Sequence, residues 1–175
     1  MKNLILIRHA KSSWNYPVQD IDRPLIQRGI DDAHLISMDY LKYLPSNFVI
    51  FSSSAIRASE TAMIFSKTFL YPIDNIYFSD DLYTFDENKL EKIIKSTNNE
   101  FENVILFGHN DAITNFVNKF GDIFIDNVPT SGLVWLQFEI DFWEKINKGK
   151  TKTTIFPKNL KCFLIKLRKN FCVFY

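Results

Sequence analysis

The sequence predicts an α/β protein, a three-layer α/β/α sandwich on a mostly parallel central sheet. Three observations predict it. Short continuous apolar runs, Leu4-Ile5-Leu6-Ile7, Phe48-Val49-Ile50-Phe51 and Val104-Ile105-Leu106-Phe107, read as strands buried on both faces. Longer stretches between them carry apolar residues at helical spacing. The two kinds of segment alternate, the pattern of βαβ units whose crossover helices cover both faces of a sheet.

Taken in order, the first run is followed by polar residues with turn punctuation at Asn15 and Pro17. A helix begins near Leu25, where Ile30, Ala33, Ile36, Tyr40, Leu41 and Leu44 form a broad apolar face, and Pro45 stops it. The second strand ends in Ser52, Ser53 and Ser54. Ala58 to Phe69 reads as a helix with Ala58, Ala62, Phe65 and Phe69 on one side. A strand near Asn75 to Phe78 and a helix from Glu87 to Ser96 follow. The third buried strand runs into Gly108-His109, and Ala112 to Phe120 is helical. Leu133 to Phe138 alternates as a strand does, and Thr153 to Phe156 gives another.

A chain of 175 residues suits one domain with a real core. The expected division is a domain over residues 1–160 and a basic, aromatic extension over 161–175 packed on it. Phe171 to Tyr175 could be an edge strand, a dimer contact or a tail. Residues 1–144 hold 12 Lys+Arg and all 20 Asp+Glu, a net of −8, whereas residues 145–175 hold 9 Lys+Arg and no acid, a net of +9. The acidic body argues against nucleic acid as a partner, and the basic tail is expected to fold back over it. The apolar run at the N-terminus is too short for a signal peptide or a membrane span, so the expectation is a cytoplasmic chain, monomeric, with no membrane partner. Cys162 and Cys172 match no zinc spacing and read as reduced thiols, so neither metal nor cofactor is expected.

Arginine is scarce, with 16 Lys to 5 Arg, yet Arg8, Arg23, Arg28 and Arg57 all fall in the first third of the chain. A position that needs only a solvated cation is mostly Lys here. These four are therefore candidates for places that need a planar guanidinium. Ligands bind beyond the carboxyl ends of parallel strands. Three apolar runs end in reactive residues: Ile7 in Arg8-His9, Phe51 in the serines leading to Arg57, and Phe107 in Gly108-His109. A parallel sheet brings all three ends to one edge and predicts a crevice with two histidines and two arginines.

Such a crevice suits a phosphoryl group. Arg8 and Arg57 hold its nonbridging oxygens, each charged hydrogen bond contributing roughly 1.5–3 kcal/mol before desolvation. Two guanidiniums lower the pKa of a histidine between them, leaving His9 a neutral nucleophile, with His109 donating to the same oxygens. Arg23 is read either as a substrate contact or as a turn salt bridge. Arg28 beside Gly29 is expected to be structural, His34 to be a surface residue, and Trp135 and Trp143 to serve packing. Trp14 either borders the groove or packs.

Arg8-His9-Ala10, Asp22-Arg23-Pro24-Leu25…Arg28-Gly29, Ser53…Arg57-Ala58-Ser59-Glu60-Thr61-Ala62 and Gly108-His109-Asn110 together resemble the histidine phosphatase superfamily. Arg8 to Trp14 and the compact length resemble its SixA-type phosphohistidine phosphatases more narrowly. The resemblance covers roughly residues 1–160. It implies a phosphoglycerate mutase-like fold, a covalent phospho-His9 intermediate, and a phosphate pocket of Arg8, Arg57 and His109. It also implies a phosphorylated protein of phosphorelay or phosphotransfer type as substrate. The alternatives are a general phosphomonoesterase of small metabolites and a noncatalytic phosphoprotein-binding module. Ala10 replaces a common glycine and Ser54 a common proline. No glutamate stands near Leu82-Tyr83-Thr84, where a general acid is expected; Asp80, Asp81, Asp86, Glu87 and Asp111 remain open candidates. A P–N bond tolerates a weak proton donor better than a P–O ester does, which favours phosphohistidine. Residues 70–103 hold too little chain for a lid, which favours an open groove that admits a protein surface.

Overall fold

The computed structural model describes residues 1–163 apart from Tyr16. Its centre is a six-stranded sheet of β1 (Lys2–Arg8), β2 (Val49–Ser53), β3 (Tyr77–Ser79), β4 (Asn103–Gly108), β5 (Leu133–Phe138) and β6 (Lys150–Ile155) in the order β3-β2-β4-β1-β5-β6. β3, β2, β4 and β1 are mutually parallel, while β5 and β6 join antiparallel at the β1 edge. The sheet is therefore mostly parallel.

The period-2 geometry of strands divides the apolar runs between two layers. Leu4, Leu6, Val104, Leu106, Val134 and Leu136 enter a core beneath α3 (Glu87–Lys95) and α4 (Ala112–Phe120). Ile5, Ile7, Ile105 and Phe107 face α1 (Gln27–Tyr40) and α2 (Ile56–Thr68) on the other side. All four apolar residues of β1 are fully buried, which stabilises the fold by ~1.5–3 kcal/mol for each. This accounts for the unbroken apolar runs: a strand covered on both faces has no wet side to make polar.

Several boundaries differ from the sequence reading. The first helix starts at Gln27, because Leu25 is held extended in a bridge to Ser12. It gives way to a 3-10 turn over Leu41–Tyr43 before Pro45. The second helix starts two residues earlier than expected, at Ile56, and places Arg57 in its first turn. The edge strands also shift, to Tyr77–Ser79 and Lys150–Ile155. Gly29 decides how closely the first helix approaches the loop after β1. A Cβ there would lie 2.2 Å from the Lys11 carbonyl oxygen, so only glycine permits the contact.

Residues 157–163 are helical, and Leu160 packs against the α1/α2 layer. Lys161 pairs there with the buried Asp32 of α1. Cys172 and the Phe171 to Tyr175 segment lie outside the described residues, as does most of the expected extension over 161–175. No helix among the described residues is long and apolar enough to cross a membrane.

Candidate active site

The carboxyl ends of β1, β2 and β4 meet at one edge, and the loops leaving them form the site. His9 follows β1 directly. Its N–H donates to the Gly108 carbonyl at 3.0 Å, tying the end of β1 to the end of β4. Ser131 N–H is shared between the Arg8 and His9 carbonyls at 3.1 and 3.3 Å. The Ala10 N–H donates to Thr61 Oγ1 at 2.9 Å, and the Thr61 hydroxyl donates in turn to the Arg57 carbonyl at 2.6 Å. One α2 threonine thus fixes the loop after His9 against the turn that carries Arg57. Glu60, beside it, accepts the Leu25 N–H at 2.9 Å and anchors the far end of the same loop.

His9 Nδ1 lies 2.8 Å from the Ala10 carbonyl oxygen. A carbonyl only accepts, so the proton is on Nδ1 and Nε2 presents a lone pair. Arg57 Nε donates to that Nε2 at 3.3 Å. Burial pushes the His9 pKa down to about 3, with the charges of Arg57, Arg8 and Arg23 adding to it against the Ala10 hydrogen bond. The ring is neutral at pH 7.

His109 stands beside it, with ring centroids 5.1 Å apart. Its Nε2 is 2.9 Å from Ser53 Oγ. Ser53 Oγ accepts the Ala55 N–H at 3.3 Å and has one hydrogen to give; when it is donated to His109 Nε2, the imidazole proton is on Nδ1. That Nδ1 has no acceptor among the described residues. Burial first, then the neighbouring His9 and Arg57, lower the His109 pKa to about 2. Tyr83 and Phe85 close over the ring with centroids at 5.2 and 5.4 Å.

Arg57 is almost fully buried, a burial that only dense hydrogen bonding supports. Arg8 is anchored from the loop before β5, donating to the Val128 carbonyl at 2.8 Å and to Asn127 Oδ1 at 3.3 Å. Arg23 stacks on the Trp14 indole with its guanidinium carbon 3.5 Å from the ring centroid, and its Nε lies 2.9 Å from Asp20 Oδ1. Arg23 forms the turn ion pair and also lines the cavity. Trp14 borders the groove and is 77% exposed. Arg28 is peripheral, 3.9 Å from Asp32, and His34 is exposed. Trp143 and Trp135 pack, their indole N–H groups bonded to Phe101 and Asn3.

The cavity at this edge encloses about 510 Å³ and takes in Arg8, His9, Arg23 and Arg57. None of the five carboxylates left open by the sequence is among its described lining residues. Asp80 accepts the Ser54 hydroxyl, Asp86 caps α3 by accepting the Asn88 N–H at 2.7 Å, and Glu87 begins that helix. Asp111 is exposed at the start of α4. The carboxylate that does line the cavity is Asp20, which the sequence reading did not single out. Arg57 Nη2 donates to Asp20 Oδ2 at 2.8 Å, and Arg57 Nη1 donates to the Asp20 backbone oxygen. Tyr83 Oη, also missed, donates to Asp20 Oδ2 at 2.6 Å. Among the described residues no cluster of three His, Cys, Asp or Glu side chains is placed to hold a metal ion.

The model of the histidine phosphatase superfamily (branch 1) matches residues 4–82, the segment that supplies Arg8, His9, Asp20, Arg23 and Arg57. The fold and the site described above agree with that match. The fold is that of the protein histidine phosphatase SixA, solved with tungstate, at a TM-score of 0.77 and 18% identity over 90% of this chain and 99% of that one. A SixA assigned as a phosphohistidine phosphatase from Agrobacterium tumefaciens matches at 0.72 and 25% identity, over 89% and 99% of the two chains. A mycobacterial glucosyl-3-phosphoglycerate phosphatase matches at 0.65 and 14% identity, over 87% and 98%. Among curated relatives, a 2,3-bisphosphoglycerate-dependent phosphoglycerate mutase of Chlamydia abortus is 42% identical over 67 residues, 37% of this chain and 29% of that protein. An uncharacterised chloroplastic protein of Arabidopsis thaliana is 32% identical over 124 residues, 62% of this chain and 54% of that protein. The chain thus matches between about a third and about half of the length of these curated relatives.

Proposed function

We propose that the protein is a phosphohistidine phosphatase that removes the phosphoryl group from a phosphorylated protein through a covalent phospho-His9 intermediate. The observation that carries this reading is the state of His9. Its Nδ1 proton is tied to a backbone carbonyl, its Nε2 lone pair accepts a hydrogen bond from Arg57 Nε that an incoming phosphoryl group can take over, and the residue lines the cavity. Nε2 attacks phosphorus, the substrate's P–N bond breaks, and its electron pair stays on the substrate imidazole, which takes a proton. Arg8 and Arg57 neutralise the equatorial oxygens, and the unpartnered His109 Nδ1–H supplies a further donor. Water then returns the phosphoryl group as phosphate.

The class of substrate follows from the proton balance. An alkoxide leaves poorly without an acid, whereas an imidazole is readily protonated near neutral pH. The acids after β3 are not among the described residues lining the cavity, which suits a P–N bond better than a P–O ester. The similarity to SixA supports the same reading. The mutase and glucosyl-3-phosphoglycerate phosphatase matches, with the bounded cavity volume, support the rival reading of a small phosphate ester as substrate.

The test is a denaturing alkaline quench after mixing the protein with a phosphohistidine peptide or with a small phosphate ester. Phosphate on His9 and faster turnover of the peptide are expected. His9→Asn should form no phosphoenzyme and lose turnover on the order of 10⁴-fold or more. Full activity in that variant would defeat the mechanism, and useful turnover of the ester alone would defeat the protein substrate.

A further inference from the structure

Asp20 occupies a place that a structural salt bridge alone does not explain. It opens a 3-10 turn, Asp20–Asp22, in the loop between β1 and α1, and it is the one carboxylate among the described residues lining the cavity. Its partners reach it from three parts of the chain: Arg57 from α2, Tyr83 from the segment after β3, and Arg23 from its own loop.

We infer that Asp20 is the general base of the second half-reaction, taking the proton of the water that attacks phospho-His9. This rests on the phospho-His9 reading above. A carboxylate offers about four acceptor positions on its two oxygens. Tyr83 Oη at 2.6 Å and Arg57 Nη2 at 2.8 Å both bond Oδ2. Arg23 Nε stands 2.9 Å from Oδ1, yet that nitrogen makes no aligned hydrogen bond among the described residues. The contact is an ion pair, and Oδ1 keeps acceptor capacity. The partners therefore fix one oxygen and leave the other able to receive a proton.

The placement relative to the nucleophile is equally specific. One guanidinium serves both groups: Arg57 Nε bonds His9 Nε2, and its Nη atoms hold Asp20 by side chain and backbone. A planar group with fixed donor directions keeps base and nucleophile in register. Asp20 is also in the right protonation state. Burial alone would raise its pKa, but the Tyr83 hydrogen bond and the charges of Arg57 and Arg23 outweigh it and hold the carboxyl below its ordinary value. At neutral pH it accepts a proton and cannot donate one. That is what hydrolysis of phospho-His9 needs.

The step balances. The water oxygen bonds to phosphorus, the P–Nε2 bond breaks, and its electron pair returns to Nε2. The ring is again neutral, with its Nδ1 proton still on the Ala10 carbonyl. The water's proton passes to Asp20 Oδ1, and inorganic phosphate leaves. With the Asp20 side chain 40% exposed, the proton escapes to solvent.

Single-turnover quench-flow with a phosphohistidine peptide tests this on the whole chain, comparing the wild type, Asp20→Asn, and Asp20→Gly with and without formate. In Asp20→Asn, phospho-His9 should form within about tenfold of the wild-type rate and decay about 10²–10³-fold more slowly, so that it accumulates. Formate should speed its decay in Asp20→Gly by restoring a carboxylate. Decay at the wild-type rate in Asp20→Asn would overturn the inference. So would formation and decay slowed equally without formate rescue, which would make Asp20 only a positioning residue for Arg57. Absence of phospho-His9 in the wild type would instead remove the proposed function on which the inference stands.

Discussion

The site has a floor and a rim built on opposite physical terms. The floor, His9, Arg57, Ser53 and His109, is almost wholly buried, sits at strand ends or in the first turn of a helix, and is fixed by backbone and side-chain hydrogen bonds. The rim, Lys11, Trp14, Asp20 and Phe85, comes from loops and is largely open to water. Buried groups of this kind persist only when every partner is in place, so the floor suits chemistry that must not vary. Exposed loop groups change cheaply, so the rim is where substrate choice and proton release are set.

Replacing Arg57 by lysine breaks the floor most informatively while keeping the charge. Lysine keeps a cation, but it cannot reach His9 and both Asp20 acceptors with one rigid plane. Activity against a phosphohistidine peptide should fall about 10²–10³-fold in kcat/KM, the loss typical of a removed transition-state donor. Recovery to within a few-fold of wild type would mean that charge alone is needed there, and the contrast with the rim would collapse.

The floor was legible in the sequence because buried strands announce themselves. Unbroken apolar runs ending at His9, Ser53 and His109 gave both the topology and the edge where the site forms, and arginine scarcity picked out Arg8, Arg23 and Arg57 together with the peripheral Arg28. Asp20 and Tyr83 were not legible in this way. Asp20 lies in a polar loop with no periodicity, and its partners Arg57 and Tyr83 are 37 and 63 residues away. Only the closure of that loop by the Ser13 to Pro24 and Ile26 to Lys11 backbone bonds brings it over the cavity. The segment around Leu82-Tyr83-Thr84 does reach the site, but Tyr83 contributes a hydroxyl and the carboxylate comes from another loop. Arg23 carried a faint signal, since an acid three residues before it can pair with it across one 3-10 turn.

Acid should unfold the molecule through its floor first. His9 and His109 have pKa values near 3 and 2 when folded, against an ordinary 6.5. As pH falls below about 6.5 the unfolded chain takes up protons that the folded chain refuses, so stability declines toward acid. The slope is about 1.4 kcal/mol per pH unit for each histidine. The lowered carboxyl of Asp20 acts in the same direction further into acid. Urea unfolding between about pH 7 and pH 4 should show this decline, and His109→Gln should lose about half of it. A flat profile would mean that the two rings are protonated in the folded state, which the nucleophile cannot be.

The smallest expected effect tests the rim alone. Trp14 is exposed and covers the Arg23 guanidinium at 3.5 Å, a cation–π contact worth ~0.5–1 kcal/mol at an exposed site. It touches none of the hydrogen bonds that hold His9, so Trp14→Ala should lower the melting temperature by no more than about 4 °C and leave the rate of phospho-His9 decay unchanged. What it removes is a flat apolar surface beside the cavity mouth, the kind of group that a protein substrate buries and a small ester passes by. Turnover of a phosphorylated protein should fall by a few-fold through KM, with turnover of a small phosphate ester unaltered. An equal loss for both would show that Trp14 serves the site by orienting Arg23, and would place that arginine with the floor.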